Sequence, residues 1–349
     1  MKARVKIIGG IVLFIGLMFI MLNVTSRIFI PKWLDNDDNM YTWIRKGFYK
    51  EKKNSLDLLI VGNSDVYRGV TPIELWDDYG IPAYAYSAPG ARIWTNYYML
   101  KEALKYQNPK VVIVDVDNVF TTSHSSSGNY RKVFDNMKNN SVKWEAINDS
   151  IYDFSTFDKL TFYIPILFYH NRYNSLNSND FKYAFYNYHF AYKGLDMITT
   201  SIPYEQGYAY MRDTNLKKEI PEKNKEYLDM MVKLCKDNDI ELILMELPSA
   251  VSWNMEKHNA IDEYAQENNL SFIDFNLNAG ETGFDWITDT SDGGDHLNVY
   301  GAKKITWYLG RYLEKHYKLS DHRGEKEYKS WDEDSEKYHA DLDKLESSN

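Results

Sequence analysis

Residues 58–69 read LLIVGNSDVYRG. Four consecutive apolar side chains run into Gly62, and Asn63, Ser64 and Asp65 open the next element. A short, wholly apolar run bounded by turn residues suits a strand buried on both faces of a parallel sheet. The pattern returns at Lys110–Asn118, KVVIVDVDN, behind the helix-like TNYYMLKEALKYQ. It returns twice more, at ELILMELP (Glu241–Pro248) and SFIDF (Ser271–Phe275), behind EKNKEYLDMMVKLCKDN and WNMEKHNAIDEYAQENN respectively. The alternation closes with Gly301–Lys318, where Ile305, Tyr308, Leu309, Tyr312 and Leu313 recur at helical spacing. Strands alternating with helices predict an α/β fold with a mostly parallel sheet.

Upstream of this body, residues 7–26 carry no charge and are nearly all apolar up to Leu22. An apolar helix of about 20 residues spans roughly 30 Å, the hydrocarbon thickness of a bilayer. Lys2, Arg4 and Lys6 precede it, which places that end in the cytoplasm and the rest of the chain outside the membrane. A cleaved signal peptide is the competing reading, but its apolar region usually runs about 7–15 residues and ends in small side chains. The longer run and the poor cleavage site at Val24-Thr25-Ser26 favour an uncleaved, single-pass cell-membrane anchor. The expected organisation is therefore a cytoplasmic stub and anchor over 1–34, a linker with a short helix over 35–56 and a catalytic-type domain over 57–318. An insertion at about 121–220 interrupts that domain, and a charged tail, disordered or loosely helical, occupies 319–349.

The chain has 349 residues, 44% hydrophobic and 26% charged, which is enough to bury a large core without disulfides or metals. A single cysteine, Cys235, excludes an internal disulfide framework and a zinc finger. Residues 1–34 hold five basic and no acidic side chains, whereas 35–349 hold 36 basic and 50 acidic ones. So acidic a body is a poor partner for phosphate backbones, and nucleic acid is excluded as an expected partner. Of the 32 residues Thr161–Tyr192, 12 are Phe or Tyr. Such a stretch can offer ring faces to sugars, pack on the sheet edge, or rest at a membrane interface.

In open parallel sheets, sites form beyond the carboxyl ends of the strands. Ser64 stands there, at a strand-to-helix turn where backbone N–H groups favour developing negative charge. Ser87-Ala88-Pro89-Gly90-Ala91-Arg92 follows, with Gly90 permitting close approach of the backbone, and Asn118 ends the VVIV run with an amide donor. Near the end of the domain lies Asp292-Gly293-Gly294-Asp295-His296-Leu297-Asn298. A histidine there, its tautomer set by a carboxylate, is a candidate general base.

In that order, LLIVGNSDVYRG, YSAPGAR, VVIVDVDNVF and DGGDHLNVYGAKKIT resemble the successive blocks of the SGNH (GDSL-type) hydrolase superfamily, over roughly Asp57–Tyr317. The resemblance implies a flavodoxin-like three-layer α/β/α sandwich and acyl-ester chemistry without a cofactor or metal. It carries the nucleophile to Ser64, the base to His296, and the oxyanion donors to the backbone of Ser64 and Gly90, with Asn118 as a third. The third block lacks the usual Gly-x-Asn-Asp, and Gly293 stands where the acid commonly sits. Asp292 and Asp295 are the alternatives; adjacent side chains on an extended loop point apart, which favours Asp292. The anchor and insertion resemble the superfamily's membrane-anchored, DltD-like branch. That likeness implies an esterase or O-acyltransferase acting on a glycan or other acylated envelope polymer, beside a membrane-bound O-acyltransferase. The alternative is a catalytically silent scaffold that binds a glycan or such a partner.

Overall fold

A computed structural model describes residues 2–32 and 40–348. Part of the expected linker, residues 35–39, lies outside the described residues. Five parallel strands form one sheet: β1 (Leu58–Gly62), β2 (Ala83–Ser87), β3 (Val111–Asp115), β4 (Glu241–Glu246) and β5 (Ser271–Asp274). Their order across the sheet is β2-β1-β3-β4-β5. This is the flavodoxin-like doubly wound order, and it reverses direction between β1 and β3. The crevice at that switch point lies between Gly62 and Asp115, where the chain places Asn63-Ser64-Asp65 and Asp117-Asn118.

Alternation along the strands divides the core between two faces. Leu59, Val61, Val112, Val114, Leu242 and Leu244 pack on one side, with helix α5 (Ile93–Ala103) and the helices Glu222–Asp237 and Met255–Asn268. Leu58, Ile60, Val111, Ile113, Ile243 and Met245 pack on the other. That face is covered by α3 (Ser64–Gly69), α4 (Pro72–Tyr79) and the helix Val299–His316. Within that layer the helix Val299–His316 crosses α4 so closely that a Cβ at Gly310 would lie 2.1 Å from Tyr79 Cε2.

The segment 121–220 contains no strand among its residues and folds as short helices around an aromatic pile, in which Tyr152 and Phe154 stack at 5.1 Å. Its later part returns to the sheet. Ala85 of the edge strand β2 donates its N–H to Lys193 O at 2.9 Å, which covers part of an otherwise open edge.

Two N-terminal helices precede the sheet: α1 (Lys2–Phe29) and α2 (Met40–Phe48). Helix α1 is long and apolar enough to cross a membrane, and its apolar stretch is not buried against the protein. Only its C-terminal end meets the body. Ile166 N donates to Ser26 Oγ at 3.2 Å, and the Lys32 ammonium caps the carbonyls of Arg27 and Ile30 at 2.6 and 2.5 Å.

The tail, expected over 319–349 to be disordered or loosely helical, is a docked helix over most of its length. It forms a 20-residue helix, Lys329–Ser348, that packs on the domain through buried Trp331, Tyr338 and Leu342. Lys193, only 1% exposed, bridges to Glu51 at 2.9 Å and to Asp334 at 2.8 Å, tying the helix to the insertion. The apolar stripe and this buried ion cluster outweigh the high charge of the segment.

Candidate active site

The site begins with the turn after β1. Asn63 Oδ1 accepts the Asp65 N–H at 2.8 Å and so caps α3, making Ser64 its first residue. Its amide nitrogen donates to Asp117 Oδ2 at 3.0 Å, which ties the end of β1 to the turn after β3. A Cβ at Gly62 would sit 2.3 Å from Val66 Cγ2 and 2.6 Å from Asp115 Cβ, so only glycine lets α3 start this close to the sheet.

The histidine loop is built to hold one ring. Gly293 and Gly294 take φ of +83° and +112°, a backbone region that side chains disfavour. Asp292 Oδ1 accepts the backbone N–H groups of Asp295 and His296 at 3.1 and 2.8 Å. Its Oδ2 accepts from His296 Nδ1 at 2.6 Å. That bond fixes the tautomer, so a neutral ring presents its lone pair at Nε2. Asp295 lies farther from Nδ1, at 3.5 Å, with its other oxygen 3.5 Å from Ser249 Oγ. Asn298 closes the loop by capping the helix Val299–His316 through Tyr300 N and Gly301 N. The insertion contributes as well: Gly293 donates to Ile202 O, and the Tyr204 ring packs beneath Gly294.

His296 thereby stands against the first turn of α3, the turn that carries Ser64. The group its Nε2 faces there is Asp65 Oδ1, at 3.8 Å. No hydrogen bond joins Ser64 to His296 among the described residues; Tyr67, one turn along α3, is the side chain whose hydroxyl Ser64 influences. Asn118 also reaches the crevice, and Arg92 Nη1 donates to its Oδ1 at 2.9 Å. The amide Nδ2 of Asn118 is buried with no partner, a donor left open. Gly90 takes φ of +60°, and Asn129 Nδ2 and Ser125 Oγ of the insertion lie 2.3 and 2.8 Å from where a Cβ would stand, a position and a close approach that favour glycine.

Electrostatically the crevice is a bowl of carboxyls. Burial, then the charge of Asp117, raises the Asp65 pKa. Burial likewise pushes Asp115 at the end of β3 and Glu246 at the end of β4 well above the carboxylate range. Burial works to lower the pKa of His296. The Asp292 hydrogen bond and the charges of Asp65, Asp295 and Asp292 outweigh it and bring the ring to about 9. For Asp292, burial is outweighed by the ring and backbone bonds from His296, which hold it below its ordinary value. Asp65, Asp115 and Glu246 carry no functional assignment from the sequence. Each closes or follows an apolar strand, and that position is the signal that marks them.

Asp292, Asp295 and His296 also place one ligand atom apiece within 4.8 Å of one another, a two-oxygen, one-nitrogen set able to hold a metal ion. The pairing of Nδ1 with Asp292 serves a general base equally well.

No protein-family model matches the chain, and no curated protein matches it. Solved structures do. A protein described as lipolytic, of the G-D-S-L family, from Desulfitobacterium hafniense shares 14% identity at a TM-score of 0.37, covering 73% of this chain and 98% of that one. A Bacteroides fragilis protein described as an acylhydrolase shares 13% at 0.36, covering 76% and 92%. A GDSL-like lipase from Bacteroides thetaiotaomicron shares 13% at 0.34, covering 76% and 90%.

Proposed function

We propose that this chain is a serine-dependent carboxylic ester hydrolase or O-acyltransferase. The observation that carries the reading is the placement of His296: hydrogen-bonded through Nδ1 to Asp292 and set against the first turn of α3, where Ser64 stands.

In the reaction the Ser64 hydroxyl turns to His296 Nε2 and gives up its proton as Oγ attacks the ester carbonyl. The oxyanion is met by the open Nδ2 donor of Asn118 and by backbone N–H groups at the turn, a kind of contact worth on the order of 10²–10³ in rate. His296 then returns the proton to the leaving alcohol, and an acyl-serine remains. Water attacking that ester gives an esterase; a sugar or polyol hydroxyl gives an O-acyltransferase. Asp292 orients the ring, with Asp295 the alternative acid. The chain's own groups suffice for every proton transfer.

Helix α1 supports a membrane-anchored reading, with the basic N-terminus cytoplasmic and the domain outside. An acylated envelope glycan or polymer is the substrate class that such a placement favours. A membrane-bound O-acyltransferase is the partner it favours. The contact of His296 Nε2 with Asp65 in place of Ser64 favours a second reading, a silent scaffold for a glycan or that partner. Hydrolysis of p-nitrophenyl acetate by the full chain separates the two. Ser64→Ala and His296→Ala should each remove activity by roughly 10³-fold or more. Equal turnover by wild type and Ser64→Ala refutes serine catalysis.

A further inference from the structure

A cavity of about 490 Å³ opens where α1 ends against the insertion, away from the sheet crevice. Arg27 from α1, Lys46 and Lys50 from α2 and the turn after it, and Lys138 and Lys143 from the insertion line it. Asp135 is the one carboxylate among the lining residues, and it is already engaged. Arg131 Nη1 lies 3.3 Å from its Oδ1, and Tyr169 donates to its Oδ2 at 2.6 Å. Five cations thus converge on one engaged acid, in a body where acids outnumber bases.

Two of these cations have no carboxylate within ion-pair distance among the described residues, and feel Asp135 only at longer range. Lys143 is 2% exposed, and its ammonium makes a single 3.5 Å bond, to Met137 O. Lys46 makes no hydrogen bond or ion pair among the described residues; its Nζ rests 4.8 Å from the centre of the Tyr188 ring. Burial lowers both lysines to about 8, helped at Lys46 by the charge of Arg27, and the charge of Asp135 offsets this at each only in part. A buried ammonium without an anion costs stability, and an incoming anion removes that cost.

We propose that this cavity binds a phosphate group, and specifically the phosphate of a lipid headgroup. A compact, multiply accepting anion is what converging lysines and an arginine recognise. The lipid source follows from place. The lining includes Asn23, Ser26 and Arg27 at the C-terminal end of α1, so acyl chains leaving the cavity beside them would run along the apolar surface of that helix. Phe185 and Tyr186 are exposed beside the cavity, side-chain types suited to the boundary between headgroups and hydrocarbon. The insertion thereby acquires a use distinct from stacking on sugars: it closes a headgroup site against the anchor. The proposal is independent of Ser64 chemistry.

The test uses the full chain in a neutral maltoside detergent, titrated with dioctanoyl phosphatidic acid, dioctanoylglycerol or inorganic phosphate, with binding followed by intrinsic fluorescence and Tm. Phosphatidic acid should bind about tenfold or more tightly than either of the other probes. Arg27→Gln and Lys46→Gln should each weaken it by on the order of tenfold without lowering the unliganded Tm, which Lys46→Gln should leave unchanged or raise. Arg27 is exposed, so that variant keeps its fold. Equal affinity for dioctanoylglycerol, or unchanged affinity in both variants, overturns the phosphate site. Inorganic phosphate binding as tightly as the lipid overturns the lipid assignment.

Discussion

Replacing Asp65 with asparagine removes the negative charge that His296 Nε2 faces and should shift the pH dependence of turnover to lower pH. The ring must be neutral at Nε2 to accept the Ser64 proton, so kcat/KM rises with pH through the His296 pKa. Although burial opposes it, that value stands at about 9, held there by the Asp292 hydrogen bond and by Asp65, Asp295 and Asp292 charges. Two unit charges about 4 Å apart interact by about 1 kcal/mol in water and about 4 kcal/mol at an effective dielectric of about 20. Asp65 Oδ1 lies 3.8 Å from Nε2, and the ring side chain keeps 21% exposure, which places the pair between those limits. At about 1.4 kcal/mol per pH unit, losing this charge lowers the midpoint by about 1–2 units. The sign is fixed: the carboxylate stabilises imidazolium, so its removal frees the base at lower pH. Burial also raises Asp65 itself, so the wild-type limb belongs to the pair, whereas the variant should titrate as one site. The assay is kcat/KM for p-nitrophenyl acetate across roughly pH 6–10, with Ser64→Ala subtracted as the blank at each pH. A midpoint that stays in place or moves upward refutes the reasoning.

The remaining predictions concern the acid, the oxyanion donor and the buried ion cluster. Asp292→Asn should lower kcat by roughly 10²–10⁴, because the Nδ1–H bond that sets the tautomer is lost, while Asp295→Asn should stay within about tenfold of wild type. The reverse order would transfer the role to Asp295. Asn118→Ala should cost on the order of 10²–10³ in kcat with KM little changed, since its open amide is assigned to the oxyanion; a change confined to KM contradicts that assignment. Lys193→Met strands Glu51 as a buried acid and leaves Asp334 only its His189 contact, and denaturant unfolding should register a loss of about 3–5 kcal/mol. A loss below about 1 kcal/mol would show that this ion cluster does not hold the C-terminal helix.

Much of the fold is legible in the sequence because four of its strands carry apolar runs, three of them almost wholly buried and β5 buried at its C-terminal half. LLIV, VVIV, LILM and FID announce themselves as apolar runs, and each became a strand. Strand β2, AYAYS, escapes that rule: tyrosine and alanine alternate in it, and its burial comes from Phe48 and Lys193, segments far from it in the chain. The tail escapes for a related reason. Trp331, Tyr338 and Leu342 are three apolar residues in a highly charged stretch, and their burial depends on α4, more than 250 residues earlier. The site divides the same way. Asp292 and His296 are four residues apart on one loop, and their contact is local. The shell around them is not, since Asp65, Asp115 and Glu246 meet only after β1, β3 and β4 align. Asp65 reveals nothing in sequence except its place beside Ser64, yet it is the group that faces Nε2.

The central claim is that Ser64 is an activated nucleophile, and an alkyl fluorophosphonate tests it most directly, because the reagent needs an activated serine but not the natural substrate. The account predicts a single adduct by intact-mass measurement on the wild-type chain, mapped by peptide sequencing to Ser64, absent in Ser64→Ala and strongly slowed in His296→Ala. A wild-type chain that never acquires the adduct, or an adduct that persists in Ser64→Ala, would contradict it.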